Sequence, residues 1–239
     1  MLKMPILIFG LLMFTSSMLI AEPLRFAQIT NSPDQIVGAA VLKVIYAKAG
    51  VPIEIIPLSG KRALLESSQG RLDGEVHRIL EIGSIYPSLI KVPTATNYIK
   101  QTIFSKNKEA IVDGCESLRG KLVGRARGVR HAEICTQGID NVAVFPDSNS
   151  LMKSLDRDIV DYAITSNLNG LVQLEKLGIS SVIALKPTLG KRLLFHYLHK
   201  KHEYLIPELE SIISAMTKSG ELDLIRQQQI QNILAHTHK

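Results

Sequence analysis

The sequence predicts an α/β protein made of two strand-and-helix units joined by two extended crossings. Three observations predict it. Short apolar strands alternate with amphipathic helices from residue 24 onward. The same order returns after a break at residues 107–120. Extended segments leave the first unit and follow the second, and a β-α-β-α-β order places strands in parallel sheets covered by helices.

The elements follow in order. Leu24–Thr30 reads as a strand. Asn31, Ser32, Pro33 and Asp34 then supply a cap, a first-turn proline and an early acidic residue, each suited to a helix start. Ile36, Val37, Ala40, Val41, Val44 and Ile45 recur at helical spacing until Gly50. Pro52–Leu58 is a strand, Lys61–Gln69 a helix stopped by Gly70, and Gly74–Ile79 a third strand. In the second unit, Lys121–Ala126 is a strand opening into Arg127 and Gly128, and Val129–Gln137 is a helix closed by Gly138. Val142–Phe145 is a strand, and Ser148 caps a helix carrying Leu151, Met152, Leu155 and Ile159. Tyr162–Ser166 is a strand, and Asn167–Leu177 a helix ended by Gly178. Tyr98–Lys106, Val182–Pro187 and Leu193–Lys200 read as extended. Helices Tyr204–Lys218 and Glu221–Ala235, split by Gly220, close the chain and are expected to return to the first unit.

The first 21 residues have the form of a secretory signal peptide: Lys3, an apolar run from Pro5 to Phe14, and Ala21 before the cut. Export to the periplasm follows as an expectation. The apolar run is short for a spanning helix, which needs about 20 residues. The net charge of +6 is scattered, without the basic stripe and interleaved aromatics of a nucleic-acid binder, so no nucleic-acid partner is expected. Two cysteines, Cys115 and Cys135, can form a disulfide in an exported chain or remain as two buried thiols.

Several segments resemble extracellular solute-binding proteins of family 3, the polar amino-acid type. Ala63–Gly74 (ALLESSQGRLDG) is similar to that family's "helix, Gly, basic, apolar, Asp, Gly" passage. Ser117–Glu133 (SLRGKLVGRARGVRHAE) resembles the start of the second lobe. Ser150–Leu171 resembles the helix followed by an Asp-led strand, and Met216–Ile225 (MTKSGELDLI) the terminal helix. The resemblance runs in order through nearly all of the chain after the signal peptide. It implies the type II periplasmic-binding-protein fold, with lobe one formed by 22–98 and 193–239 and lobe two by 99–192. It also implies capture of a small molecule for an ABC transporter permease or a sensor in the inner membrane, by a monomer without a cofactor.

Two departures bear on the ligand. Amino-acid binders of this family usually end the strand matching Tyr162–Ser166 with an acid that holds the ligand's ammonium; Ser166 and Asn167 stand here. The arginine for the ligand carboxylate is absent around Gly83–Pro87, and Arg78 lies earlier. A small polar or anionic ligand is therefore expected over an α-amino acid.

Open α/β sheets bind ligands at the C-terminal ends of strands. That rule selects Thr30 and Asn31, then Ser59, Lys61 and Arg62, then His77 and Arg78. In the second unit it selects Arg125, Arg127 and Gly128, then Thr165, Ser166 and Asn167. The alternatives are structural. Ser59 can cap its helix, Lys61 and Arg62 can be solvated, Arg78 can pair at the surface with Glu81 or Asp73, and His77 can be a core residue. One of Arg125 and Arg127 is expected to face the cleft. His196, His199 and His202 recur every third residue, but a metal site needs two of them on one helical face plus a carboxylate such as Glu203; the segment reads as extended at its start, and no metal is expected. No serine-nucleophile elbow, His-Glu-x-x-His or phosphate loop is present. Two rival functions remain at this level. One is a dehydratase of a cyclic organic acid on the same scaffold, with Glu75 or Asp161 as proton donor. The other is a ligand-independent partner of a membrane receptor.

Overall fold

The computed structural model describes residues 22–236. The signal-peptide segment lies outside them, and among the described residues no helix is long and apolar enough to cross a membrane.

The chain forms β1 (Leu24–Ile29), α1 (Pro33–Lys48), β2 (Ile53–Leu58), α2 (Gly60–Ser68) and β3 (Gly74–Ile79). Next come α3 (Ile82–Ile85), β4 (Leu89–Lys91) and the long strand β5 (Asn97–Ser105). The second unit holds β6 (Val123–Ala126), α4 (Arg130–Cys135), β7 (Val142–Phe145), α5 (Ser148–Asp156), β8 (Tyr162–Ser166) and α6 (Asn167–Leu177). After β9 (Ile183–Ala184), strand β10 (Lys191–His199) runs into a 3₁₀ turn, then α7 (Ile206–Ser219) and α8 (Glu221–Ala235).

Strand order is β2-β1-β3-β10-β5-β8-β6-β7. Parallel pairing joins β1 to β2 and β3 in one half, and β6 to β7 and β8 in the other. The two halves meet on β5. Its first residues, Asn97–Lys100, pair antiparallel with Leu194–Lys191 of β10. Its next residues, Gln101–Phe104, pair with Ser166–Ala163 of β8. The handover between Lys100 and Gln101 makes β5 one crossing, and β10, returning to pair with β3, the other. The result is two lobes joined by two strands.

Each lobe has its own core. In the first, Phe26, Val41, Leu42, Ile45 and Tyr46 pack with Leu209, Ile213, Met216 and Leu222 of the two C-terminal helices. Burial of each such side chain contributes roughly 1.5–3 kcal/mol, which fixes α7 and α8 on α1. In the second, Phe104, Leu151, Met152 and Leu155 fill one side of the sheet, and Leu118, Val123, Ala132 and Ile164 the other. Cys115 and Cys135 are joined by a disulfide with Cα atoms 5.2 Å apart, tying the turn before β6 to the end of α4.

Local corrections are few. The residue capping α5 is Asp147, whose carboxylate accepts from the Ser150 N–H, and Ser148 is its first helical residue. The Ser32 and Ser59 side chains make no cap bond to their helices. The 3₁₀ turn Lys200–Leu205 occupies the start of the expected Tyr204–Lys218 helix. It also separates the histidines. His196 is in the core: its Nδ1–H donates to the Glu75 carbonyl at 2.8 Å, so Nε2 accepts from the Tyr46 hydroxyl at 2.9 Å. His202 pairs with Asp73.

Candidate functional site

The strands of both lobes end at the crossings, and there the lobes meet. A cavity of about 80 Å³ lies between them. Lobe one contributes Thr30 after β1, Ser59 before α2, and His77 and Arg78 from β3. Lobe two contributes Arg127, Gly128, Arg130, His131 and Asn169. Apolar surface from Ile29, Ile79, Ile99 and Leu194 completes the wall. Drug-sized ligands occupy about 300–1,000 Å³, so this interior suits a molecule of only a few heavy atoms.

The protein's own side chains close the lobes around it. The start of α1 faces the start of α6. Ser166 O–H donates to the Asp34 carboxylate. Asn169 Oδ1 accepts from Ser32 Oγ at 3.3 Å and from the Asp34 N–H at 3.1 Å. Asn31 Nδ2 reaches Asp147 at 3.5 Å, and Gln173 Nε2 donates to the Asn31 carbonyl at 3.4 Å. A carboxyl group from lobe one therefore sits against Ser166, the cap of α6, at the helix end whose dipole favours an anion. The position that lacks an acid in the sequence, Ser166, is served by an acid from the other lobe.

Arg78 forms a second connection. It is 4% exposed, and its partners are all internal. Nε donates to Glu75 at 2.8 Å, Nη2 to the Gly60 carbonyl at 3.2 Å, and Nη1 to the Gly128 carbonyl at 3.5 Å. Surface pairing of Arg78 with Glu81 or Asp73 is thus overturned. Glu81 instead takes Arg192, and Asp73 takes Lys201 and His202. Gly60 and Gly128 touch directly. A Cβ on Gly128, which has φ +75°, would come within 2.6 Å of the Lys61 nitrogen. Only glycine fits such an approach at that backbone angle.

Burial tunes the titrating groups. Desolvation raises the Asp34 carboxyl to about 6, against the hydrogen bond from Ser166 and the charge of Arg226. Desolvation lowers His77 and His131 to about 3 each, with Arg78 adding to the effect on His77 and Arg192 on His131. Nδ1 of both histidines is buried without a hydrogen-bond partner. Near neutral pH His77 and His131 are therefore neutral and Arg78 is paired with Glu75, which leaves Arg127 as the wall cation without an ion pair to a described residue.

Solved structures share this fold. The chain is similar to a histidine kinase sensor domain with similarity to periplasmic binding proteins (TM-score 0.76, 15% identity, 87% of this chain and 96% of that one). It is similar to the GluR0 ligand-binding core in complex with L-glutamate (TM-score 0.75, 9% identity, 88% and 99% covered). It is also similar to the amino acid ABC transporter substrate-binding protein AbpA from Streptococcus pneumoniae bound to L-arginine (TM-score 0.71, 16% identity, 87% and 95% covered). The chain has the type II periplasmic-binding-protein fold. No protein-family model and no curated protein matches the sequence.

Within the type II fold the sequence-selected residues divide. Thr30, Ser59, His77, Arg78, Arg127 and Gly128 line the cavity. Asn31 and Ser166 join the lobes beside it. Asn167 begins α6, and Thr165 is buried with its hydroxyl unbonded. Arg62 pairs with Glu66 on α2. Lys61 and Arg125 lie in a separate recess that Arg127 also lines. Arg125 and Arg127 share this recess, as residues two apart on a strand share a side, and of the two only Arg127 also lines the central cavity. Glu75 is fully buried against Arg78 and Ser67, and Asp161 accepts from the Leu122 N–H. Neither faces the cavity as a proton donor. Asp34, His131 and Asn169 escaped the sequence reading. In the sequence Asp34 is accounted for by its helix start alone, and the other two lie within helices beyond the strand ends.

Asp34 gives a pH signature. A carboxyl raised to about 6 in the folded state, from 3.8, stabilises the fold below about pH 4 and loses that contribution as pH rises through 6. His77, His131 and His196, all lowered, act in the opposite direction. The comparison that isolates Asp34 is wild type against Asp34→Asn. The stability difference is expected to shift in favour of wild type by on the order of 2–3 kcal/mol between pH 7 and pH 4. Parallel pH profiles in urea unfolding would reject this assignment.

Proposed function

We propose that this chain is an exported solute-binding protein that captures a small polar or anionic molecule between its two lobes for a membrane permease or sensor, and that it performs no catalysis. The supporting observation is the cavity between the crossings, walled by residues from both lobes. Lobe one in this reading is 22–98 with 193–239, lobe two is 99–192, and Thr30, Ser59, His77, Arg127 and Gly128 contact the ligand. A ligand favours closure by its differential affinity for the closed form.

The cross-lobe bonds of Asp34, Ser166 and Asn169 favour a second reading, a receptor partner that closes on its own contacts. Native mass spectrometry of gently purified protein separates the two. A co-purified small molecule that raises the melting temperature on re-addition is expected. Gly128→Ala, by crowding Lys61 and straining a positive φ, is expected to weaken that binding about tenfold or more, consistent with about 1–3 kcal/mol of overpacking. No co-purified molecule, and no stabilisation by panels of amino acids and organic acids, would leave the receptor-partner reading standing.

A further inference from the structure

The contact between Gly60 and Gly128 divides the space between the lobes. On the far side from the central cavity lies a second recess of about 360 Å³, within the range of small-molecule sites. Its walls are charged. Lys61 comes from the first turn of α2 in lobe one, and Arg125, Arg127 and Arg130 come from lobe two. One carboxylate, Glu133, faces these four cations.

Glu133 is fully engaged as an organiser. Its Oε1 accepts from Arg125 Nη1 at 3.2 Å and the Gly128 N–H at 3.2 Å, and its Oε2 accepts from Arg130 Nη1 at 2.9 Å. Each guanidinium carries five N–H donors, so most remain unused. Nε of Arg125 and Nε of Arg130 are both shielded from solvent and bonded to nothing, which is costly for a donor. The Lys61 and Arg127 side chains are exposed and form no ion pair or hydrogen bond with a described residue.

Helix α2 supplies an independent indication. Its first turn holds Lys61 and Arg62 and no acidic residue. Cations at a helix start oppose the dipole and cost about 0.3–1 kcal/mol each. An anion at that place reverses the sign for the turn as a whole. Tyr86 and Leu64 add apolar wall beside the charges, suited to the carbon frame of an organic acid.

We propose that this outer recess is a binding site for an anion carrying two or more negative charges, a polycarboxylate or a phosphate. Lys61 from lobe one and Arg127 from lobe two bind its separate oxygens, so that the anion bridges the lobes. Paired arginine donors recognise carboxylate and phosphate oxygens alike. The recess adjoins the central cavity and shares Arg127, Gly128 and Arg130 with it, whereas Lys61 belongs to the recess alone.

The test is calorimetric titration of the mature protein with citrate, inorganic phosphate and acetate at matched ionic strength. Citrate or phosphate is expected to bind at least tenfold more tightly than acetate, and whichever of the two binds identifies the oxygen chemistry. Lys61→Ala, whose side chain lines the recess and not the central cavity, should reduce that affinity at least fivefold, and Lys61→Ala with Arg127→Ala at least tenfold, without changing the melting temperature in anion-free buffer. Thr30→Val, in the central cavity, should leave it within a factor of two. Equal binding of citrate, phosphate and acetate overturns the proposal. So does an unaffected double variant, and so does loss of binding in Thr30→Val, which would move the anion into the central cavity.

Discussion

Arg78→Ala is expected to destabilise the protein by about 3–5 kcal/mol, the cost of breaking a buried ion pair from one side. Glu75 has no exposed surface and would keep only the Ser67 hydroxyl, at 2.6 Å, as a side-chain partner. Burial already raises its carboxyl against the lowering effect of Arg78. Removing the guanidinium raises it further, so the deficit should shrink as pH falls and the acid takes up its proton. Glu75→Gln in the Arg78→Ala background should restore part of the loss at pH 7, because no charge is then left buried. The same substitution frees the Gly60 and Gly128 carbonyls, one from each lobe, and should loosen closure as well. Urea unfolding of the three proteins at pH 7 and pH 5 checks this. A loss below about 1 kcal/mol for Arg78→Ala would show that the pair contributes little beyond its own desolvation.

The second large effect comes from the disulfide. Cys115 and Cys135 are 20 residues apart, and a loop of that size restricts the unfolded chain by about 3 kcal/mol. Cys115→Ser with Cys135→Ser should therefore lower the melting temperature by roughly 6–12 °C for a chain of this length. The effect should be confined to the second lobe, where the bridge holds the turn bearing Leu118 against α4. Hydrogen exchange resolves that. Faster exchange in α4 and β6, with the first lobe unchanged, is the expected pattern. Thiol titration of the unreduced, unfolded protein yielding two free thiols would contradict the bond itself.

Local signals determined most of the elements. Strands Gly74–Ile79 and Tyr162–Ser166 and helices Asn167–Leu177 and Glu221–Ala235 begin and end where the sequence puts them. Each is bounded by a glycine, a cap or a change of hydrophobic period acting within a few residues. Helix α3 and strand β4 went unread because four and three residues carry no period. The rule that ligands meet strand ends likewise found Thr30, Ser59, His77, Arg78, Arg127 and Gly128, since chain direction alone fixes which end of a parallel strand is which.

Charge partners were decided only by the tertiary structure. Ser166 marks a missing acid in the sequence, yet Asp34, 132 residues away, supplies one when α1 meets α6. For Arg78 the sequence offers a ligand or a surface partner, Glu81 or Asp73, but its partner is Glu75, three residues back on β3, which is irregular where it pairs with β10. Lys61 and Arg125 left the expected cleft for the outer recess because Gly60 and Gly128 come into contact and divide the space. A residue's type records which charge it can carry. Which charge it meets depends on pairs brought together by folding, and local pattern holds no record of them.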